Sequence, residues 1–164
     1  MPLPVKVLPG FSASLFMQPG ASPTALTNAA LATVATVSAL CITGNAVLVE
    51  AVPAFGQDDA VANFTVAGSR QSDKIPTQSA PTSLTITAAW NPSDTVLIQI
   101  RTDAYSGLID RTYIVQATDG TGTIYYAFNA RASQWQIDAQ PGAEAKAVFT
   151  LHPRSGQYGW SNSA

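Results

Sequence analysis

The chain has 164 residues, 46% of them apolar, which fits one domain of ordinary size and excludes a chain disordered throughout. Only 11% of its residues are charged, where about 25% is usual for a soluble domain. Its net charge of −2 and its scattered Lys and Arg argue against a protein that grips nucleic acid, and the single cysteine, Cys41, excludes an internal disulfide framework.

Ala, Thr, Ser, Gln and Asn replace much of the missing charge. Small neutral groups desolvate more cheaply than Lys and Glu, and the cores of interfaces are charge-poor for the same reason. The composition therefore fits either a merely neutral surface or one largely consumed by self-contacts.

The opening MPLPVKVLPGF lacks a basic segment leading into an apolar one, so no signal peptide is expected. Residues 1–10 carry three prolines and read as an extended arm. SASLFMQ (12–18) alternates like a short strand and ends in the turn residues PGASPT. Residues 26–34 fit a helix or a strand; from about Ala35 the β-branched content of TVATVSALCIT favours a strand. The whole run 29–42 is too short and too rich in Thr and Ser to span a bilayer, so a soluble protein made in a cytoplasm is expected. Thr43-Gly44-Asn45 then turns into AVLVEAV (46–52), which predicts a β-hairpin with the preceding strand. Cys41, inside SALCITG, reads as a small buried hydrophobe.

Residues 53–81 break this pattern. They carry three prolines, two glycines and a cluster of charges, and only AVANFTVAG looks able to pair as a strand. A stretch this long with little core of its own is either a floppy surface loop or an arm that orders against a neighbouring molecule.

TSLTITAAW (82–90) alternates cleanly, with Leu84, Ile86 and Ala88 on one face. Asn91-Pro92 offers a cap and a first-turn proline, and Val96, Leu97, Ile100 and Ala104 form one helical stripe that Gly107 can stop. The prediction is a helix over 92–105. RTYIVQAT and TIYYAFNA flank Asp119-Gly120 as a hairpin, and RASQWQI and KAVFTLH flank a turn at Gln140-Pro141-Gly142.

No pattern carries chemistry. His152 is the sole histidine and sits at a strand end beside Pro153, with no nucleophile elbow anywhere. Asp58-Asp59 is one pair without further ligands at calcium-loop spacing, and TDGTGTIYY is a hairpin turn rather than a phosphate loop. Trp90 and Trp135 read as core packing. No catalytic, cofactor-binding or metal-binding residue is assigned.

The order of segments from about Gly44 to Ser155 resembles the major tail tube proteins of long-tailed, non-contractile bacteriophages. The resemblance is carried by the hairpin ending in AVLVEAV, the polar arm, SAPTSLTITAAWNPSD entering a helix, TYIVQATDGTGTIYYAFNARASQWQI, and the closing AEAKAVFTLHPRSG. It implies a mainly β, sandwich- or barrel-like fold with one flanking α-helix and a long inter-strand arm. The tube domain would be residues 1–155, with the arm 53–81 inserted and 156–164 as a C-terminal extension.

The resemblance further implies a structural virion protein without enzymatic activity or cofactors. Its hexameric rings would join edge to edge and stack into a tube through which the genome is ejected. Phe55, Asp58, Asp59, Phe64, Arg70, Asp73 and Lys74 are then candidate inter-ring arm contacts, and Thr85 and Thr87 candidate ring-closing positions. Implied partners are further copies of the chain, a tape measure protein, a tail terminator, and tail-tip or baseplate proteins. Double-stranded DNA would pass the lumen without specific binding. Two alternatives stand beside this: a carbohydrate- or receptor-binding β-sandwich using Trp160, Tyr158 or Tyr105, and the equivalent tube of a bacteriocin, gene-transfer particle or secretion system.

Overall fold

The computed structural model describes residues 12–20, 25–65, 72–118 and 122–163. Its strands are β1 (Ser12–Met17), β2 (Ala46–Val47), β3 (Gln57–Thr65), β4 (Ser72–Pro81), β5 (Leu84–Ala89), β6 (Arg111–Thr118), β7 (Thr123–Asp138) and β8 (Lys146–Ser163). Its α-helices are α1 (Asn28–Leu31), α2 (Val34–Leu40) and α3 (Thr95–Ser106). Six strands form one curled antiparallel sheet, a half-barrel in the order β2-β1-β6-β7-β8-β5, and β3 and β4 form a separate two-stranded ribbon.

The predicted strands at 12–18, 82–90, 111–118 and 123–130 are present, and Leu84, Ile86 and Ala88 are buried on one face as expected. RASQWQI continues β7 without a break, and KAVFTLH opens a strand that runs on to Ser163. Tyr158–Ser163, within the segment set apart above as an extension, pair with the first half of β7. The Asp119-Gly120 turn lies outside the described residues.

Both faces of the sheet are covered. Leu15, Met17, Tyr113, Val115, Tyr126 and Phe128 point to a core shared with Val96, Leu97 and Ile100 of α3. Their neighbours Phe16, Ile114, Tyr125 and Ala127 point the other way, into a second core closed by Leu31 of α1 and Val37 of α2. Burial on both faces is why β6 and β7 read as unbroken apolar runs rather than strict alternation.

The second core corrects two expectations. Residues 34–40 form a helix, not a strand, and it is flanked by α1, so the single flanking helix becomes three among the described residues. Val34, Val37, Leu40 and Cys41 recur at helical spacing and pack on the sheet; covering that face outweighs the β preference of Val and Thr. With 34–40 helical, the predicted hairpin with 46–52 does not form, and Ala46–Val47 pairs with β1 instead. Cys41 is half-buried against this core, as expected of a small hydrophobe, and burial pushes its thiol up to about 11.

The segment before α1 is held by a polar bracket. The Leu26 amide donates to Thr112 Oγ1 (3.1 Å), Thr112 Oγ1 donates to Asn129 Oδ1 (2.7 Å), and Asn129 Nδ2 donates to the Leu26 carbonyl (2.8 Å). Buried Thr112 and Asn129 are satisfied while both backbone groups of Leu26 are anchored to the sheet.

Helix α3 starts three residues later than predicted. Asp94, not Asn91, is its cap: Oδ1 accepts from Val96 and Leu97 N–H (2.9 and 3.3 Å). Asn91 forms a local turn, accepting from the Ser93 N–H at 2.9 Å. Gly107 ends the helix at φ +64°, the left-handed conformation that glycine adopts without penalty. Buried Asp103 on α3 pairs through both carboxylate oxygens with buried Arg111 at the start of β6, and Arg111 Nη1 donates to the Gln18 carbonyl at 3.0 Å. This cluster ties helix, sheet and the end of β1 together.

The β7–β8 ladder slips twice, between Phe128 and Ala130 and between Ser133 and Gln136. At the second slip Gln134 has φ +55° and its Oε1 accepts from Thr150 Oγ1 (3.0 Å). Such bulges bend long strands, and here they let β7 and β8 each contribute to two parts of the curl.

Candidate assembly interface

What the fold leaves open are strand edges. β5 is the last strand in the sheet order, and β8 lies on one side of it. On its other side the chain following β2 returns: Val49 bridges Ala88, Glu50 N–H donates to the Thr87 carbonyl (3.0 Å) and Ala89 N–H to the Leu48 carbonyl (2.9 Å). Residues 46–50 thus touch β1 at one end of the sheet and β5 at the other, which draws the two ends toward each other. Lys146 fastens this contact by an ion pair with Glu50, which raises the lysine's pKa.

This splits the two ring-closing candidates. Thr87 is engaged through its carbonyl by Glu50. Thr85, two residues back on the same strand, points its backbone groups the same way, because an antiparallel ladder alternates. Among the described residues no strand pairs with it on that side. Its side chain is exposed, with Oγ1 3.5 Å from Thr150 Oγ1 across the β5–β8 pair. A second open edge belongs to β8: β5 reaches only to Leu151, so Tyr158–Ser163 are paired with β7 alone among the described strands.

Two stretches of the arm, Gln57–Thr65 and Ser72–Pro81, are paired strands. Residues 57–81 hold a hairpin whose register runs from Gln57 opposite Pro81 to Thr65 opposite Ser72, slipping once beside Ala60. Asp58 is exposed on β3; Asp59 and Phe64 are also on β3, and Asp73 and Lys74 on β4, with Phe64 opposite Asp73. Arg70 lies outside the described residues. Phe55, by contrast, is half-buried within its own subunit, stacked on Tyr126 with ring centroids 4.7 Å apart.

The remaining candidates are mostly internal. Tyr158 is half-buried and stacks on Tyr126 at 5.8 Å, whereas Tyr105 is exposed. Trp90 and Trp135 meet edge to face at 5.5 Å and pack on the larger core, as expected. His152 bridges its neighbouring strands, with Nδ1 2.9 Å from Ser83 Oγ and Nε2 2.7 Å from Ser133 Oγ.

Much of the sparse charge is spent on internal pairs. Besides Asp103–Arg111 and Glu50–Lys146, Asp110 accepts from both Arg131 Nε (2.6 Å) and Arg154 Nη1 (2.9 Å). None of these pairs was legible in the sequence, since the partners come from different elements and no spacing rule links them.

No protein-family model matches the chain, and no curated protein matches it in sequence. Its fold does have relatives among solved structures. The sheath/tube terminator of the PVC extracellular contractile injection system superposes with a TM-score of 0.60 at 12% identity, covering 100% of this chain and 98% of the other. A chain of the anti-feeding prophage baseplate gives 0.58 at 12% identity, with 98% and 97% covered. The SPP1 tail tube gives 0.55 at 13% identity, with 89% and 75% covered. The chain therefore has the fold of tail-tube and tube-terminator proteins, and that fold occurs in contractile systems as well as in a phage tail tube.

Proposed function

We propose that the chain is a structural subunit of a phage-type tail tube, self-assembling into stacked hexameric rings that form the conduit for genome ejection. The observation that carries this reading is the pair of open, charge-poor edges on a curled sheet, at Thr85 and at Tyr158–Ser163. Such edges invite pairing with another chain, and closing a ring removes them. The hairpin β3–β4 has its own two-stranded sheet and is the element suited to reach an adjacent ring.

In this role the subunit works by shape and desolvation, without a reaction step. Its partners would be copies of itself, a tape measure protein, a terminator and tail-tip or baseplate proteins, within a virion or a related injection particle. Double-stranded DNA would pass the lumen without specific binding, in keeping with the chain's net charge of −2. The non-contractile phage tube is the form favoured by the segment order. A capping role at the tube end is the second reading, favoured by the near-complete two-way coverage of the terminator.

Negative-stain electron microscopy of the concentrated protein tests this. Hollow tubes support the tube subunit, isolated six-fold rings support the cap, and a dispersed monomer at every concentration defeats both. Replacing residues 58–80 by a short linker is expected to keep the six-stranded sheet, with an unchanged melting temperature within a few degrees, while abolishing tube growth. Loss of the fold would instead mark the hairpin as part of the core. Thr85→Lys places a charge on the open edge, the device by which natural edge strands resist pairing. It is expected to raise the protein concentration needed for assembly by about tenfold or more, equivalent to about 1.4 kcal/mol per contact. Unaltered assembly by light scattering would remove Thr85 from the interface.

A further inference from the structure

We infer that successive copies contact one another head to tail along α3, with Tyr105 and Leu108 of one copy seated in the groove at the N-terminal end of the next copy's α3. This rests on the self-assembly reading above and adds the surface through which neighbours meet. The two surfaces lie at opposite ends of α3. At the helix C-terminus Tyr105 and Leu108 are 74% and 76% exposed, the most exposed large apolar side chains among the described residues. At its N-terminus two adjoining hollows of about 210 and 310 Å³ share Gly44, Thr95 and Val96, and Leu48, 63% exposed, lines the larger one.

The groove is cheap to desolvate. One wall comes from the segment between Lys6 and Glu50, in which no Asp, Glu, Lys or Arg occurs. Asp94 is the one charged residue among those lining either hollow. The knob end carries the complementary sign: two residues beyond Leu108, Asp110 lies between Arg131 and Arg154, leaving one positive charge in excess. An aromatic and an aliphatic side chain entering a small-residue groove, with opposite charges at the rim, is the anatomy of a specific interface.

Geometry selects the mode of contact. The 12 residues of α3 separate knob from groove by roughly 18 Å at 1.5 Å per residue. In a two-fold contact the knob could meet the groove only by placing the two helices antiparallel and side by side. A head-to-tail contact joins knob to groove without that constraint, repeats from copy to copy, and closes into a ring when the rotation allows.

The test uses the full chain in a Cys41→Ala background with single cysteines at exposed positions, Leu48→Cys and Leu108→Cys. After concentration, a short bis-maleimide is added. The expected result is a crosslinked dimer when the two single-cysteine proteins are mixed, little from either alone, and a ladder of covalent multimers from the double variant. Crosslinking should exceed by about tenfold that of Leu48→Cys mixed with Ile137→Cys, an exposed position near the end of β7. Tubes or rings without the mixed crosslink would overturn this contact and leave the assembly reading intact. Homodimers from each single variant would equally overturn it, in favour of a two-fold interface. A parent protein that never assembles would bring down both.

Discussion

Gly159→Val is expected to lower stability by more than about 3 kcal/mol, a fall in melting temperature of roughly 6–12 °C for a chain of this size. A Cβ at Gly159 would lie 2.1 Å from the carbonyl carbon of Leu31, 2.2 Å from its oxygen and 2.5 Å from the Ala32 nitrogen. All three are backbone atoms, so no side chain can swing aside. Helix α1 would have to lift from β8 and take Leu31, fully buried, out of the second core. Losing one such side chain costs about 1.5–3 kcal/mol, and loosening Val37 and Phe16 beside it adds to that. The measurement is thermal unfolding followed by far-UV circular dichroism. Gly159→Ala should shift the same way, because the first added carbon already collides. An alanine variant as stable as the parent would show that α1 does not pack there.

Asp103→Ala is expected to cost about 3–5 kcal/mol, the usual effect of removing one partner from a buried ion pair. Asp103 and Arg111 side chains are each 1% exposed. The substitution leaves the guanidinium in the core with the Gln18 carbonyl as the partner shown for Nη1, and also removes the acceptor of Gln99 Nε2 (3.2 Å). Burial, the largest cause of the raised Tyr113 pKa, persists without Asp103, so the nearby hydroxyl stays neutral at working pH and supplies no compensating charge. The double variant Asp103→Leu/Arg111→Met should recover much of the loss, since an apolar pair carries no desolvation penalty. Urea unfolding of Asp103→Leu, Arg111→Met and the double completes the cycle. Additive losses would show that the two side chains are not coupled.

The strands were legible because their information is local. In TSLTITAAW apolar residues fall at the strand period, and around 119–120 two short β-rich runs flank turn residues, so each segment carries its own evidence. The end of α3 was legible too, since Gly107 needs no distant partner to act as a cap. Its start was misplaced because Asn91 and Asp94 are both good caps, and only the packing of Val96 and Leu97 chooses between them.

The helix at 34–40 shows the opposite case. Val, Ala, Thr and Val in close succession favour a strand, and nothing nearby reveals that Phe16, Ile114 and Ala127 expose a face that needs cover. The hairpin at 57–81 was obscured in a similar way: prolines and charges suggest a loop, yet Pro76 and Pro81 fall in a two-stranded ribbon, where every strand is an edge and a missing N–H is tolerated.

By itself, then, the sequence determined a mainly β chain, poor in charge, with the strand after Thr82, the strand pairs flanking 119–120 and 140–142 and the helix after Trp90 in place, because strand patterning and turn chemistry act between near neighbours. Only the tertiary structure decided that 46–50 draws the sheet's ends together, that Gly159 must lack a side chain beneath α1, that Asp103 finds Arg111, and that Glu50 engages the Thr87 carbonyl. Each of these depends on residues far apart in the chain meeting at a few ångströms, and no local pattern encodes such a meeting.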